Sequence, residues 1–267
     1  MVYKSAASAR QVIIKILSNF STIFIKTQGL CSQRIPYDFA IFHLKGLTVL
    51  HISRYSNIFF DLDGTLSNPK QGITRSVQYA LTSFGFESDT EALTKFIGPP
   101  LRESFSKFYG FSVEDSERAV AKYREYFAER GIFENEVYLG IPEMLERLAT
   151  AGKMPVLATS KPQIYAKRIL EHFGLAQYFV FVAGCELDGT RDAKAEVIAY
   201  ALRNLSLAPE NAIMVGDRKH DILGANAHTM DSVGVLYGFG DRAELEKAGA
   251  PHIVETVKEL EKLLLAL

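Results

Sequence analysis

Asn57-Ile58-Phe59-Phe60-Asp61-Leu62-Asp63-Gly64-Thr65-Leu66 is the stretch that decides the fold. A short apolar run ends abruptly in a carboxylate, the pattern of a buried strand that delivers Asp61 at its carboxyl end. Side chains two apart on a strand project the same way, so Asp61 and Asp63 are predicted to face one ligand. An EF-hand calcium loop needs a third acid before the glycine and a later Glu, which residues 61–72 lack. An acidic turn after a strand is the plain alternative.

Working towards the C-terminus, apolar runs and helical periodicities alternate. Helices are predicted over 142–151, 163–173, 193–205 and 220–227, with strands over 154–159, 178–183, 212–215 and 232–236. Strands separated by helices imply a parallel sheet and an α/β fold of the Rossmann-like kind. The stretch between Asn68 and Gly140 carries only helical spacings, over 74–84, 101–109 and 113–129. It lies between the first strand and the rest of the sheet, so it is expected to be an α-helical cap above the carboxyl edge. The expected division is 57–70 and 141–267 as the core and 71–140 as the cap. Gly64, Gly72 and Gly140 stand at the junctions, where a closing lid would flex or where ordinary loops would turn.

Working towards the N-terminus, residues 1–56 differ from the rest, with a single acid, Asp38, against seven Lys or Arg. That composition fits an N-terminal extension or an organelle-targeting leader. Its apolar runs are broken by Lys15, Lys26 and Arg34, and none reaches the roughly 20 residues of a membrane span. The 267 residues carry 30 Lys and Arg against 31 Asp and Glu, which gives no basic track for a nucleic acid polymer and no polybasic membrane contact. Two cysteines without metal spacing make a reducing, cytoplasmic setting the default, with an organelle as the alternative if the leader is real.

A second acidic pair follows the apolar run Ile213-Met214-Val215-Gly216, as Asp217 and Asp221. Four carboxylates are thus expected at one sheet edge. Crowded like charges require compensation, which points to a divalent cation and a lysine. Oxygen-only ligands select a hard ion such as Mg2+. Lys194, in Arg191-Asp192-Ala193-Lys194, is placed to supply the other positive charge, although a lysine at a helix start is ordinarily just solvated. Val156-Leu157-Ala158-Thr159-Ser160-Lys161-Pro162 ends a strand in hydroxyls that donate to phosphoryl oxygens or cap a helix. Arg102, after Gly98-Pro99-Pro100, either meets a second anionic group of a substrate or faces solvent.

DxDGT, a hydroxyl after an apolar strand, a lysine and then GDxxxD, in that order over about 57–265, resembles the haloacid dehalogenase superfamily. Phe96 to Phe105 and the helical insertion resemble its phosphoglycolate phosphatase and 5′-nucleotidase-like branch. The resemblance implies a Mg2+-dependent phosphatase that forms an aspartyl-phosphate from a small phosphorylated metabolite. It implies Asp61 as nucleophile, Asp63 as general acid and base, Thr159 and Ser160 as phosphoryl donors, and Lys194 as the group that orients Asp61. It places the metal on Asp61, a backbone carbonyl at Asp63, Asp217 and, directly or through water, Asp221. A phosphosugar mutase of the same superfamily is the alternative. A phospho-aspartate switch is a more distant one, since a small receiver domain has no use for a lid of some 70 residues.

Overall fold

The computed structural model describes residues 54–267 in full, together with the backbone of three short strands before them. Those strands, β1 (Ile23–Ile25), β2 (Ala40–Leu44) and β3 (Leu47–His51), form an antiparallel sheet in the order β1-β3-β2. They belong to a unit of residues 1–54, separate from the unit of residues 55–267. The expectations of a leader or an extension rest on stretches of 1–53 that lie outside the described residues.

In the second unit six strands make a wholly parallel sheet in the order β11-β10-β9-β4-β7-β8. They are β4 (Asn57–Phe60), β7 (Met154–Pro162), β8 (Phe181–Cys185), β9 (Ala212–Gly216), β10 (Asp231–Val235) and β11 (His252–Val254). β4 is buried throughout, and its alternate residues serve opposite faces. Ile58 and Phe60 join the cluster that holds Leu145 and Leu148 of α4 (Ile141–Thr150), Ile169 of α5 (Gln163–His172) and Leu260 of α9 (Val257–Ala266). Phe59 joins Val197, Ile198 and Ala201 of α6 (Lys194–Leu205) and Ala225 of α7 (Lys219–Asn226). This is a three-layer α/β/α core, as the alternation of strands and helices predicts.

The insertion holds α1 (Lys70–Thr82), a 3-10 turn over Glu91–Phe96, α2 (Leu101–Tyr109) and α3 (Val113–Tyr126). Ser112 caps α3 by accepting from Asp115 N at 3.0 Å. Four expectations need correction. The helix expected over 113–129 turns at Phe127–Gly131 into a π-helical turn, which apolar spacing does not reveal. The insertion is not purely helical, because β5 (Ser67–Asn68) pairs antiparallel with β6 (Glu136–Val137) and ties its two ends together; two residues are too few to show a period. Gly72 is not at a loop junction but in the first turn of α1, where a Cβ would lie 1.9 Å from the carbonyl oxygen of Gly131. Finally, α8 (Arg242–Lys247) and β11 extend the core beyond the last strand that was expected. No helix among the described residues is long and apolar enough to cross a membrane.

Candidate active site

β4 is the central strand at which the chain order reverses, with β9 on one side and β7 on the other. In parallel α/β sheets such a reversal leaves a crevice beyond the carboxyl ends of the strands. Asp61 stands there, and its own N–H continues the ladder by donating to Val215 O at 2.9 Å. Asp217 follows β9, and Asp221 sits in the first turn of α7, where its Oδ2 accepts from Arg218 N at 3.1 Å. Carboxylate oxygens of Asp61, Asp217 and Asp221 all lie within 4.8 Å of one another, and all three residues are buried.

Lys194 is the first residue of α6, and its side chain is only 3% exposed. Its Nζ lies 2.8 Å from Asp61 Oδ1, 2.8 Å from Asp221 Oδ1 and 2.9 Å from Ala158 O. Burial alone would lower the lysine pKa, but Asp221 and Asp61 outweigh it and hold it above its ordinary value. Asp221 is pushed up to about 6, chiefly by burial, with Lys194 opposing and Asp61 adding to the rise. Asp217 is raised well above the carboxylate range by burial and then by Asp221 and Asp61. Among the described residues no lysine pairs with it; it accepts from Phe239 N at 2.8 Å and from Thr65 Oγ1 at 3.4 Å.

Close backbone packing holds this cluster in place. Gly64 has φ of +86°, and a Cβ there would lie 2.2 Å from Asp217 Oδ2. Only glycine allows both that left-handed turn and that approach.

Asp63 takes a different direction from Asp61. Its Oδ2 pairs at 2.8 Å with Lys161 Nζ, which also lies 4.5 Å from the centre of the Phe127 ring. Burial raises the Asp63 pKa, and Lys161 opposes the rise. Sequence reading passed over Lys161; the legible sign was a lysine within the Thr159-Ser160-Lys161-Pro162 strand end, where burial demands a partner. Thr159 is buried and accepts from Lys161 N at 3.2 Å. Thr159, Ser160, Asp61, Asp63 and Arg102 all line one cavity between core and insertion, of about 850 Å³ counted out to its open mouth. Arg102 is already engaged there: its Nη2 lies 3.1 Å from Glu117 Oε2, and its Nε pairs with the other oxygen.

A parallel sheet with buried carboxylates and a lysine at its switch point, roofed by an inserted group of helices, defines a hydrolase built for phosphoryl groups. The chain belongs to the haloacid dehalogenase-like hydrolase family, whose model matches residues 58–235. It is similar to a Pseudomonas aeruginosa protein named 5′-nucleotidase, 46% identical over 79% of this chain and 96% of that protein. A crystal structure of a predicted phosphatase from Clostridium acetobutylicum superposes with a TM-score of 0.79 and 47% identity, covering 80% of this chain and all of that one. A Mycobacterium tuberculosis protein named tyrosine-protein kinase PtkA is 39% identical over 78% of this chain and 72% of that protein. The recognition from motif order is borne out, and with it the α/β class and the grouping with phosphoric monoester hydrolases.

Proposed function

We propose that the protein is a Mg2+-dependent phosphatase that hydrolyses a small phosphomonoester, phosphoglycolate-like or a nucleoside 5′-monophosphate, through a phosphorylated Asp61. The observation that carries this reading is the buried cluster itself. Three carboxyl groups gather beside one ammonium, which pairs with Asp61 and Asp221; with all three ionised the site carries two uncompensated negative charges, and an ion of charge two with only oxygen donors around it fits that deficit. Asp61, Asp217 and Asp221 would hold the ion, with the Asp63 carbonyl as a further donor. When bound, it would draw charge from the phosphoryl oxygens and let a dianion approach the carboxylates.

Asp61 attacks phosphorus in line with the leaving oxygen, while Lys194 keeps the attacking carboxylate oriented and ionised. The ester bond breaks, and Asp63 gives its proton to the departing alkoxide. Thr159, and Ser160 beside it, donate hydrogen bonds to the phosphoryl oxygens. Asp63, now a carboxylate, takes a proton from water; the water oxygen attacks phosphorus, the bond to Asp61 breaks and inorganic phosphate leaves. Lys161, at 2.8 Å, keeps the Asp63 carboxylate aimed between these tasks.

The test is phosphate release from a panel of phosphomonoesters with and without magnesium, comparing the parent with Asp61→Asn. Magnesium-dependent release that disappears in Asp61→Asn, with acid-stable label on the parent trapped during turnover, supports the mechanism. Label that ends on an added sugar phosphate or tyrosine peptide instead of in solution would overturn water as the acceptor.

A further inference from the structure

Arg218 stands between two of the clustered carboxylates, and its backbone and side chain serve different parts of the molecule. The backbone belongs to the carboxylate loop after β9: its N–H donates to Asp221 Oδ2 at 3.1 Å, and its carbonyl accepts from Asp221 N at 3.0 Å. The side chain leaves the loop for the insertion. Its Nη1 donates to Ile97 O at 2.7 Å, and the residues that follow, Gly98, Pro99 and Pro100, line the cavity.

The guanidinium is fixed in direction before it reaches Ile97. Its Nε and Nη2 take the two oxygens of Glu244 in α8 at 2.9 and 3.3 Å, in a pair whose side chains are only 17% and 21% exposed. Glu244 is itself held, since its Oε1 also accepts from Lys219 N at 2.8 Å. Burial alone would raise the Glu244 pKa, but Arg218 and the Lys219 amide outweigh it and keep the carboxyl below its ordinary value. The planar fork that grips Glu244 therefore aims its remaining arm at one point. The insertion fits closely around that arm. Ile97 is fully buried, and Gly98, at φ of +102°, passes so near that a Cβ there would lie 3.0 Å from Nη1.

Other arginine contacts cross between core and insertion without this double role. Arg168 of α5 donates through Nη2 to Ala128 O of the π-helical turn at 3.1 Å, and Arg124 of α3 donates through Nη2 to Leu187 O at 2.5 Å. Each ties the two parts together. Of these three arginines, only Arg218 is also a member of the loop that carries Asp217 and Asp221.

We infer that Arg218 is a positioning residue of the reaction: it holds the cavity wall at residues 98–100 in fixed register with the Asp217–Asp221 loop, so that loop and wall meet the phosphoryl group in one geometry. It stands outside the cavity lining and acts through what it holds. A misplacement of about 1 Å between such parts can cost about 100-fold in rate. The kinetic half of the inference rests on the phosphatase reading above.

The experiment compares the parent with Arg218→Gln, Arg218→Lys and Arg168→Gln, the last of which cuts a core-to-insertion hydrogen bond that does not involve the carboxylate loop. With p-nitrophenyl phosphate in saturating magnesium, Arg218→Gln is expected to lose about tenfold in kcat with KM within about threefold of the parent, while Arg168→Gln keeps kcat within about twofold. Arg218→Lys keeps the charge without the fork, cannot hold Glu244 and Ile97 O together, and is expected to lose nearly as much; it decides the matter if the glutamine variant does not fold. Hydrogen exchange in EDTA reads the joint without metal or turnover. The amides of Ile97, Arg218 and Asp221 are all hydrogen-bonded in the parent, the first to Thr94 O at 3.0 Å. Peptides covering 95–100 and 216–222 should both exchange at least about threefold faster in the Arg218 variants and at the parent's rate in Arg168→Gln. Equal kcat losses in Arg218→Gln and Arg168→Gln, full activity in Arg218→Lys, a rise in KM with kcat unchanged, or faster exchange in only one of the two peptides would overturn the inference. A parent that releases phosphate from no ester sinks the phosphatase reading alone, and the exchange pattern then decides whether Arg218 joins loop and wall.

Discussion

Replacing Asp217 with Asn separates what the cluster does for chemistry from what it does to stability. Asp217 is buried, has no lysine partner among the described residues, and offers an oxygen within 4.8 Å of carboxylate oxygens of Asp61 and Asp221. At an effective dielectric constant near 20, each like-charge pair at that separation costs about 3.5 kcal/mol. Protonation limits the cost, and the raised pKa of Asp217 is the mark of it: burial first, then the two neighbouring carboxylates, drive the group towards its neutral form. Asn keeps the shape and leaves an oxygen to accept from Phe239 N, so the contacts of the loop survive. In EDTA at neutral pH the variant should therefore be more stable than the parent by about 1–3 kcal/mol in urea unfolding, or about 3–10 °C in Tm. In magnesium the order should invert, because the parent gains a ligand-binding contribution that the variant has lost, and phosphate release should fall by at least about 100-fold. A variant less stable than the parent in EDTA, with magnesium stabilising both alike, would refute the account of the cluster as a cation site.

Three further outcomes follow from the geometry. Asp221 carries a folded-state pKa of about 6 against an ordinary 3.8, so the folded metal-free protein binds the extra proton. The contribution of this group is greatest below pH 4 and is lost as the pH rises through about 6; the magnesium-induced rise in Tm should grow over the same span, and a flat or declining rise would contradict it. Lys161→Gln removes the partner that holds Asp63, so kcat should fall about tenfold or more on alkyl esters, which need a proton at the leaving oxygen. Release of p-nitrophenol, which leaves without one, should fall less in a single-turnover burst; equal losses on both would assign Lys161 to structure alone. Gly72→Ala places a methyl group 1.9 Å from the Gly131 carbonyl oxygen, backbone against backbone, and urea unfolding should show a loss of about 2–3 kcal/mol, whereas a loss below about 0.5 kcal/mol would mean that the joint between α1 and the π-helical turn is loose.

The sequence by itself determined the sheet and the carboxylates it gathers. A parallel α/β core has a strong local code, because buried strands read as apolar runs and the helices between them as amphipathic repeats. The residues at strand ends are then carried to one edge by the topology, and Asp61, Lys194, Asp217 and Asp221 meet where that logic sends them. What tertiary structure decided is the direction each side chain takes and what meets it from the insertion. Asp61 and Asp63 line one cavity, but each is held there by its own lysine, Asp61 by Lys194 and Asp63 by Lys161. Arg102, read as a contact for a second anionic group or for solvent, is held by Glu117 from the neighbouring helix. Gly72 is a site of close packing because a π-helical turn, invisible in the apolar spacing, carries Gly131 against it. These features depend on contacts between residues far apart in the chain, which periodicity does not encode.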